Sequence, residues 1–303
     1  MRTPAFLFLA FACSAPCVPA QVFTLTRDQL IRYTAGNPYD RFPDGRPKVP
    51  DPVLAKVQGL SLEEIWAVLP EKGFHNQYAG AGWQIMHPER KLVGRAVTVQ
   101  FMPARPDISK PLDADAKAKG VADIPPHQRV IDMLQPDDVL VVDLFGLADG
   151  GTIVGDNLAT AIWSATAFKG GLIVDGGIRD LEGIFPIQMP VYYRAAHPSF
   201  LDYQKVMLTG VNVPIKIGDA TVMPGDVVFG DREGLFFIPP QYVKEILDKA
   251  DETHIHDEWT KDKFMHHHYK SSDLYGSPRI PELKEEYEQY KKEQLGKEKQ
   301  TNP

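Results

Sequence analysis

The sequence predicts an α/β fold on three observations. Gly155 to Asp180 (GDNLATAIWSATAFKGGLIVDGGIRD) reads as loop, helix, strand, loop: Leu158, Ala161, Ile162, Ala165 and Phe168 recur at helical spacing, and Leu172 to Val174 is a short apolar run of the buried-strand type. His127 to Leu134 reads as a helix; a Pro136-Asp137-Asp138 turn follows, then the strongly apolar strand Val139 to Asp143 (VLVVD). From Val211 onward, short apolar runs are separated by Gly218-Asp219, Pro224-Gly225-Asp226 and Asp231 to Gly234, the rhythm of strands joined by tight turns. Helices interleaved with buried strands place a sheet at the centre with helices packed on it.

The first element is a targeting segment. Arg2 gives a basic start, Ala5 to Ala12 is apolar but too short to span a bilayer, and Val18-Pro19-Ala20 offers the small residues a signal peptidase needs. Residues 1–20 are therefore expected to be a signal peptide, with Gln21 opening an exported, periplasmic or secreted chain that has no membrane segment after cleavage. Lipid attachment at Cys13 is the rival reading, but Ala10-Phe11-Ala12 matches a lipoprotein signal poorly. Cys13 and Cys17 both lie in this segment, so the mature chain is expected to hold no disulfide and no thiolate. The 303 residues carry a net charge of −7, one unit more negative once Arg2 leaves. That balance, with no basic patch interleaved with aromatics, argues against nucleic acid as a partner.

Residues 21–59 form an arm rich in Pro, Gly and charge. Thr26 to Tyr33 is a short helix with Thr26 and Asp28 at its start, Gly36 to Pro52 is extended, and Pro52 to Gly59 is a second short helix. Ser61-Leu62-Glu63-Glu64 is a capping-box variant that opens a helix with Leu62, Ile65, Trp66 and Leu69 on its apolar face. His75, Asn76 and Gln77 fall in the loop that follows. Leu92 to Met102 is a strand, and residues 104–126 are a polar excursion bounded by prolines. Lys169-Gly170-Gly171 is the expected stop of the helix that begins after Gly155. Asp175-Gly176-Gly177 is the expected turn after its strand. Val191 to Arg194, Val211 to Ile217, Ala220 to Val222, Val227 to Phe229 and Leu235 to Ile238 complete the strands. Gln241 to about Phe264 is a helix, and Pro281 to Pro303 is dense in Glu and Lys, either a solvated helix or a disordered tail. The expected organisation is a signal peptide (1–20), an arm (21–59), a catalytic domain (60–250), and a C-terminal helix with a charged tail (251–303).

Two polar corners carry the chemistry. Gly155-Asp156-Asn157 starts a helix, and Arg179-Asp180 follows the strand that returns from it, so a closed fold can bring them together. Asp180 is the expected ligand of a divalent metal, since a chain without thiolates favours a hard cation held by carboxylate and water. Arg179 offers a planar fork for a carboxylate. The amides of Asn157 and Leu158 face an anion at the helix start. Taken alone, Asp156 reads equally as a helix cap and Arg179-Asp180 as a solvated ion pair. His254 and His256 lie two apart and so face different sides of a helix. His266-His267-His268 reads as a solvated run in a charged tail. Neither a Gly-x-Ser-x-Gly elbow nor a phosphate-binding P-loop is present.

Asp156 with Arg179-Asp180, Gly94-Arg95-Ala96-Val97-Thr98, the VLVVD strand with Leu144-Phe145-Gly146, and the Pro224-Gly225-Asp226 turn with its two strands resemble the RraA-like family. That family includes 4-hydroxy-4-methyl-2-oxoglutarate aldolase and the regulator of ribonuclease activity A; the resemblance covers roughly Leu60 to Ala250. It implies a layered sheet fold of the swivelling β/β/α type. It also implies a metal-dependent (class II) aldolase, a carbon–carbon lyase that splits a 4-hydroxy-2-oxo acid into pyruvate and a second carbonyl compound. Oxaloacetate decarboxylation is the implied side activity. On this resemblance Mg²⁺ or Mn²⁺ sits on Asp180, Asp156 orients the metal's waters, and Arg179 with the Asn157 and Leu158 amides holds the substrate. A neighbouring subunit's Glu252 or Glu258 would reach those waters in a homotrimer or a dimer of trimers. Other members are non-enzymatic binding and regulatory proteins, which is the alternative reading. One departure stands out: twenty-two residues separate Asp156 from Arg179, two more than the family pattern, and the extra pair is expected between Ala167 and Gly171.

Overall fold

The computed structural model describes residues 23–149 and 151–301. The expected signal peptide, with Cys13 and Cys17, lies outside them. No helix among the described residues is long and apolar enough to cross a membrane.

The arm supplies α1 (Arg27–Tyr33) and α2 (Asp51–Val57). Thr26 caps α1 through a capping box closed by Gln29. Between the two helices the arm runs into the body. Arg46, 2% exposed, forks onto the fully buried Asp138 through Nη1 at 3.0 Å and Nη2 at 3.3 Å. The Phe42 ring lies 4.4 Å from the Arg46 guanidinium and 5.7 Å from that of Arg95. Helix α3 (Leu62–Trp66) opens with the expected capping box, Ser61 N–H donating to Glu64 at 2.7 Å.

The sheet follows. Strands β1 (Tyr78–Ala79) and β2 (Gln84–Met86) are short; β3 (Leu92–Pro103) is long and buried over most of its length. The polar excursion after β3 contains a helix, α4 (Pro106–Ala118), for which the sequence offered no signal. Pro106 occupies the first turn, where its missing N–H costs nothing, and only Ala116 of α4 is buried, so no apolar stripe announced the helix. Next come α5 (Pro126–Ile131), β4 (Asp138–Leu147), α6 (Asp156–Ala165) and β5 (Gly171–Ile178).

Three expectations differ from the structure. Helix α6 stops at Thr166 rather than at Lys169-Gly170-Gly171, and Ala167 and Phe168 turn the chain with φ of 56° and 61°. These two left-handed residues fall within the stretch where the extra pair was expected. The expected turn at Asp175-Gly176-Gly177 is instead strand, because β5 stays paired with β6 as far as Ile178 across an irregularity in register. Helix α7 (Leu181–Ile184), β6 (Val191–Ala196) and β7 (Val206–Val211) follow. The single strand expected over Val211–Ile217 is two: β7 ends at Val211, and β8 (Ile215–Ile217) pairs with β9 (Ala220–Val222) across the Gly218-Asp219 turn. Strands β10 (Val227–Asp231) and β11 (Gly234–Ile238) form the last hairpin. Helices α8 (Val243–His267), α9 (Ser271–Leu274) and α10 (Pro281–Thr301) end the chain, so the charged tail is helical.

The described strands form a nine-stranded sheet in the order β1-β11-β10-β3-β4-β5-β6-β2, with β7 also on β3. Strands β3 to β6 run parallel. The outer edge of β3 is shared: its first residues pair with β10 and its last with β7. Alternation sorts each strand's side chains onto two faces. Leu140, Val142, Leu144, Leu172 and Val174 pack against α5, α6 and α7. Val139, Val141 and Ile173 pack against the β8–β9 hairpin. A third apolar cluster joins Val49, Leu54 and Val57 of the arm to Phe229, Phe236, Val243 and Ile246. The α8–α10 pair closes over Trp259, Leu274 and Leu283.

Candidate active site

The two polar corners meet. Helix α6 begins where the chain leaves Val154, and β5 ends beside it: the Arg179 amide donates to the Val154 carbonyl at 3.0 Å. Gly155 is the N-cap residue, and a Cβ there would overlap Asp180 Oδ2 and come within 2.9 Å of Arg179 Nε. Gly183 plays the same part for Asp156, since a Cβ would lie 2.7 Å from Asp156 Cβ and 2.8 Å from its Oδ2. Two glycines thus let the Asp156 and Asp180 carboxylates and the Arg179 guanidinium crowd into one corner. Asp180 takes a left-handed backbone, with φ of 58° and ψ of 43°, a region that Asp enters more readily than bulkier residues. Although it occupies the N-cap of α7, its side chain makes no capping bond there.

Arg179 Nε donates to Asp180 Oδ2 at 3.1 Å, and the Arg179 guanidinium lies 4.6 Å from the centre of the Phe200 ring. This leaves both Nη groups for a ligand. The ring is placed by the segment after β6. His197 N–H donates to the Ile178 carbonyl at 3.0 Å, and buried Thr152 donates through Oγ1 to Ser199 at 2.6 Å. Beside Phe200 an open cavity of about 650 Å³ is lined by Asp149, His197, Leu201, Asp202 and Lys205.

Of the two helix-start amides, Asn157's is already used: it donates to Asp156 Oδ1 at 2.7 Å. Leu158's makes no hydrogen bond among the described residues. The side chains of Arg179 and Asp180 are 17% and 45% exposed, so the corner is an accessible shelf. Its donor set is carboxylate oxygen in a glycine-lined cradle. No cluster of three or more His, Cys, Asp or Glu able to hold a metal occurs among the described residues. Such a shelf suits a hard divalent cation that keeps most of its water shell, with Asp180 as the holding residue and Asp156 beside it.

A residue without a functional sequence signal shares a small cavity lining with Ile153 and Val154, which lead into this corner. His127, in the first turn of α5, has its Nδ1 2.6 Å from the Tyr203 hydroxyl. Burial, followed by the positive charge of Arg179, lowers His127 to about 4, and burial raises Tyr203 to about 12. Both groups are therefore neutral near pH 7 and add no charge beside Arg179. Its separation from Arg179 in sequence hid this role.

The other polar residues are placed elsewhere. Glu252 accepts from Lys291 of α10 at 2.7 Å, and Glu258 is exposed on α8. His254 Nε2 lies 2.6 Å from the buried Glu64 carboxylate, His256 meets the Tyr287 ring edge-on, and His266 bonds Asp262 at 2.9 Å.

The parallel strands β3 to β6, with α6, bring an Arg and two carboxylates together at the strand ends of an α/β protein. Residues 67–236 match the RraA-like family (Aldolase/RraA), and the chain belongs to that family. It is 31% identical over 123 residues to the "Putative 4-hydroxy-4-methyl-2-oxoglutarate aldolase" of Halalkalibacterium halodurans, covering 41% of this chain and 56% of that one. A protein of the same name from Pseudomonas aeruginosa is 28% identical over 153 residues, covering 50% of this chain and 78% of that one. The chain thus spans little more than half the length of the first of these relatives. Among solved structures it is similar to Streptomyces coelicolor RraAS2, described as an unusual member of the RNase ES inhibitor RraA protein family. That match has a TM-score of 0.59 and 26% identity over 74% of this chain and 99% of that one.

Proposed function

We propose that the protein is a divalent-metal-dependent lyase that cleaves a 4-hydroxy-2-oxo acid to pyruvate and a second carbonyl compound. The observation that carries this reading is the convergence of Arg179 and Asp180 on Gly155-Asp156. The Arg179 Nη groups bind the substrate carboxylate as a fork, and the Leu158 amide adds a donor at the positive end of α6. Phe200 beneath the guanidinium, and Asp180 on Nε, fix the direction of the fork. Asp180 would hold Mg²⁺ or Mn²⁺, which would supply Lewis-acid chemistry at the 2-keto oxygen. Breaking the C3–C4 bond releases the 4-hydroxyl proton as the second carbonyl forms and leaves a pyruvate enolate that takes up a proton at C3, while the Arg179 fork holds the carboxylate of that fragment.

The assembly and location belong to the same reading. An open shelf at Asp180 leaves room for a neighbouring subunit, as in a homotrimer or a dimer of trimers. Glu252 would have to leave Lys291 to reach a neighbour's site, whereas exposed Glu258 carries no such tie. With residues 1–20 as a signal peptide, the enzyme works outside the cytoplasm. A regulatory protein that binds a partner without turnover is the second reading, favoured by the likeness to RraAS2.

One experiment separates the two: pyruvate release from oxaloacetate and from 4-hydroxy-4-methyl-2-oxoglutarate, with Mg²⁺, with Mn²⁺ and with EDTA. The lyase reading expects metal-dependent release that vanishes in Asp180→Ala while the melting temperature stays put. Release by that variant, or none from the parent with either metal, refutes the assignment.

A further inference from the structure

The face of the sheet opposite α6 carries a second polar cavity. Asp143 continues the alternation of Val139 and Val141, so its side chain points toward the β8–β9 hairpin and away from α6. Asp175 is its register partner on β5. Together they form part of the lining of an open cavity of about 760 Å³ with Phe145, Arg194, Lys216 and Asp219. That volume is in the range of small-molecule sites.

Two of its five charged groups are tied to each other. Asp175 accepts from Arg194 Nε at 2.7 Å and from the Gly218 amide at 2.9 Å, and Arg194 lies flat on Trp83, 3.7 Å from the ring centre. That pair is closed and electrically neutral. Lys216 and Asp219 bring one charge of each sign and make no ion pair among the described residues. Asp143 accepts the Phe145 amide at 3.0 Å. Burial, and then the charge of Asp175, push its carboxyl above the usual range, while Lys216 pulls it back. A strong anion would meet three aspartates here, and a metal ion would meet an Arg and a Lys. What remains is a near-neutral space with carboxyl acceptors, an ammonium donor and, at its mouth, the Phe145 ring, 39% exposed. Phe145 keeps that place with a left-handed φ of 43°, a backbone that a bulky residue rarely adopts.

We infer that this cavity binds a neutral polyhydroxylated ligand, a sugar or polyol, through Asp143, Lys216 and Asp219 with a ring face laid on Phe145. Each hydroxyl both donates and accepts, so it can satisfy acids and an ammonium at once, and the C–H face of a sugar ring is apolar enough to cover an aromatic. This site is independent of the lyase reading.

The test is a ¹⁵N-HSQC titration of the mature protein with glucose, myo-inositol and cellobiose at millimolar concentration. A saturable shift with at least one of them is expected. Phe145→Ala and Asp219→Asn, both at exposed positions, should each weaken that binding by about tenfold or more, and Asp180→Ala should leave it unchanged. No saturable shift with any of the three probes overturns the inference. So does binding that survives both cavity variants, or that is lost in Asp180→Ala.

Discussion

Asp226 shows what one side chain can do to the pH response. It is 3% exposed, its Oδ2 accepts the Met223 amide at 2.8 Å, and burial pushes its carboxyl up to about 7. In the unfolded chain an Asp titrates near 3.9. Between those values the folded state binds more protons than the unfolded state, so this group's stabilising contribution is complete at acid pH and is lost as pH rises toward 7. Asp226→Asn keeps an oxygen for the Met223 amide and removes the titration. Urea denaturation should find the variant gaining on the parent by a few kcal/mol between about pH 5 and pH 8, with no gain at the acid end. An equal difference at both pH values would contradict the assignment. Asp180 is the opposite case: it is exposed and carries little of the fold, so its substitution should be read in activity.

At the scale of elements, the turn between α6 and β5 holds the strain. Ala167 and Phe168 both sit at positive φ, where a side chain costs roughly 1 kcal/mol and glycine costs none. Ala167→Gly should therefore raise thermal stability by about 0.5–1 kcal/mol, measured by calorimetry, without changing turnover. This turn also shows where sequence reading stops. The periodicity of Leu158, Ile162 and Ala165 located α6, and the apolar run located the core of β5. Gly170-Gly171 drew the stop signal away from two residues whose left-handed backbone closes the helix end locally, the Phe168 amide donating to the Trp163 carbonyl at 2.8 Å and the two rings meeting edge-on. Helix α4 escaped because it lies on the surface with one buried residue, and hydrophobic periodicity is blind to such helices. The pairing of Arg179 with Asp180 was legible, since the two are adjacent. The ring under Arg179 and the neutral His127 were not, because chain folding alone brings them there.

At the scale of the whole molecule, the arm and the sheet are one structure. The buried fork from Arg46 to Asp138 joins residues 92 positions apart, and Arg95 approaches the same carboxylate at 3.9 Å. Removing one partner of such a pair strands a charge away from water. Arg46→Ala should cost about 3–5 kcal/mol by chemical denaturation, more than deletion of any exposed charge on α10. An Arg46→Met, Asp138→Leu double variant should recover only part of that loss, because it also takes the acceptor from the Gln135 amide, 3.0 Å from Asp138, and the counter-charge from Arg95.

The region that matches the family, residues 67–236, contains Asp138 but not Arg46. A gene segment cut to those limits would encode an acid whose counterpart had been left behind. The leading extension is therefore no detachable module. Cutting the arm away while keeping Asp138 should cost stability, because that buried carboxylate would keep Arg95 at 3.9 Å but lose its fork.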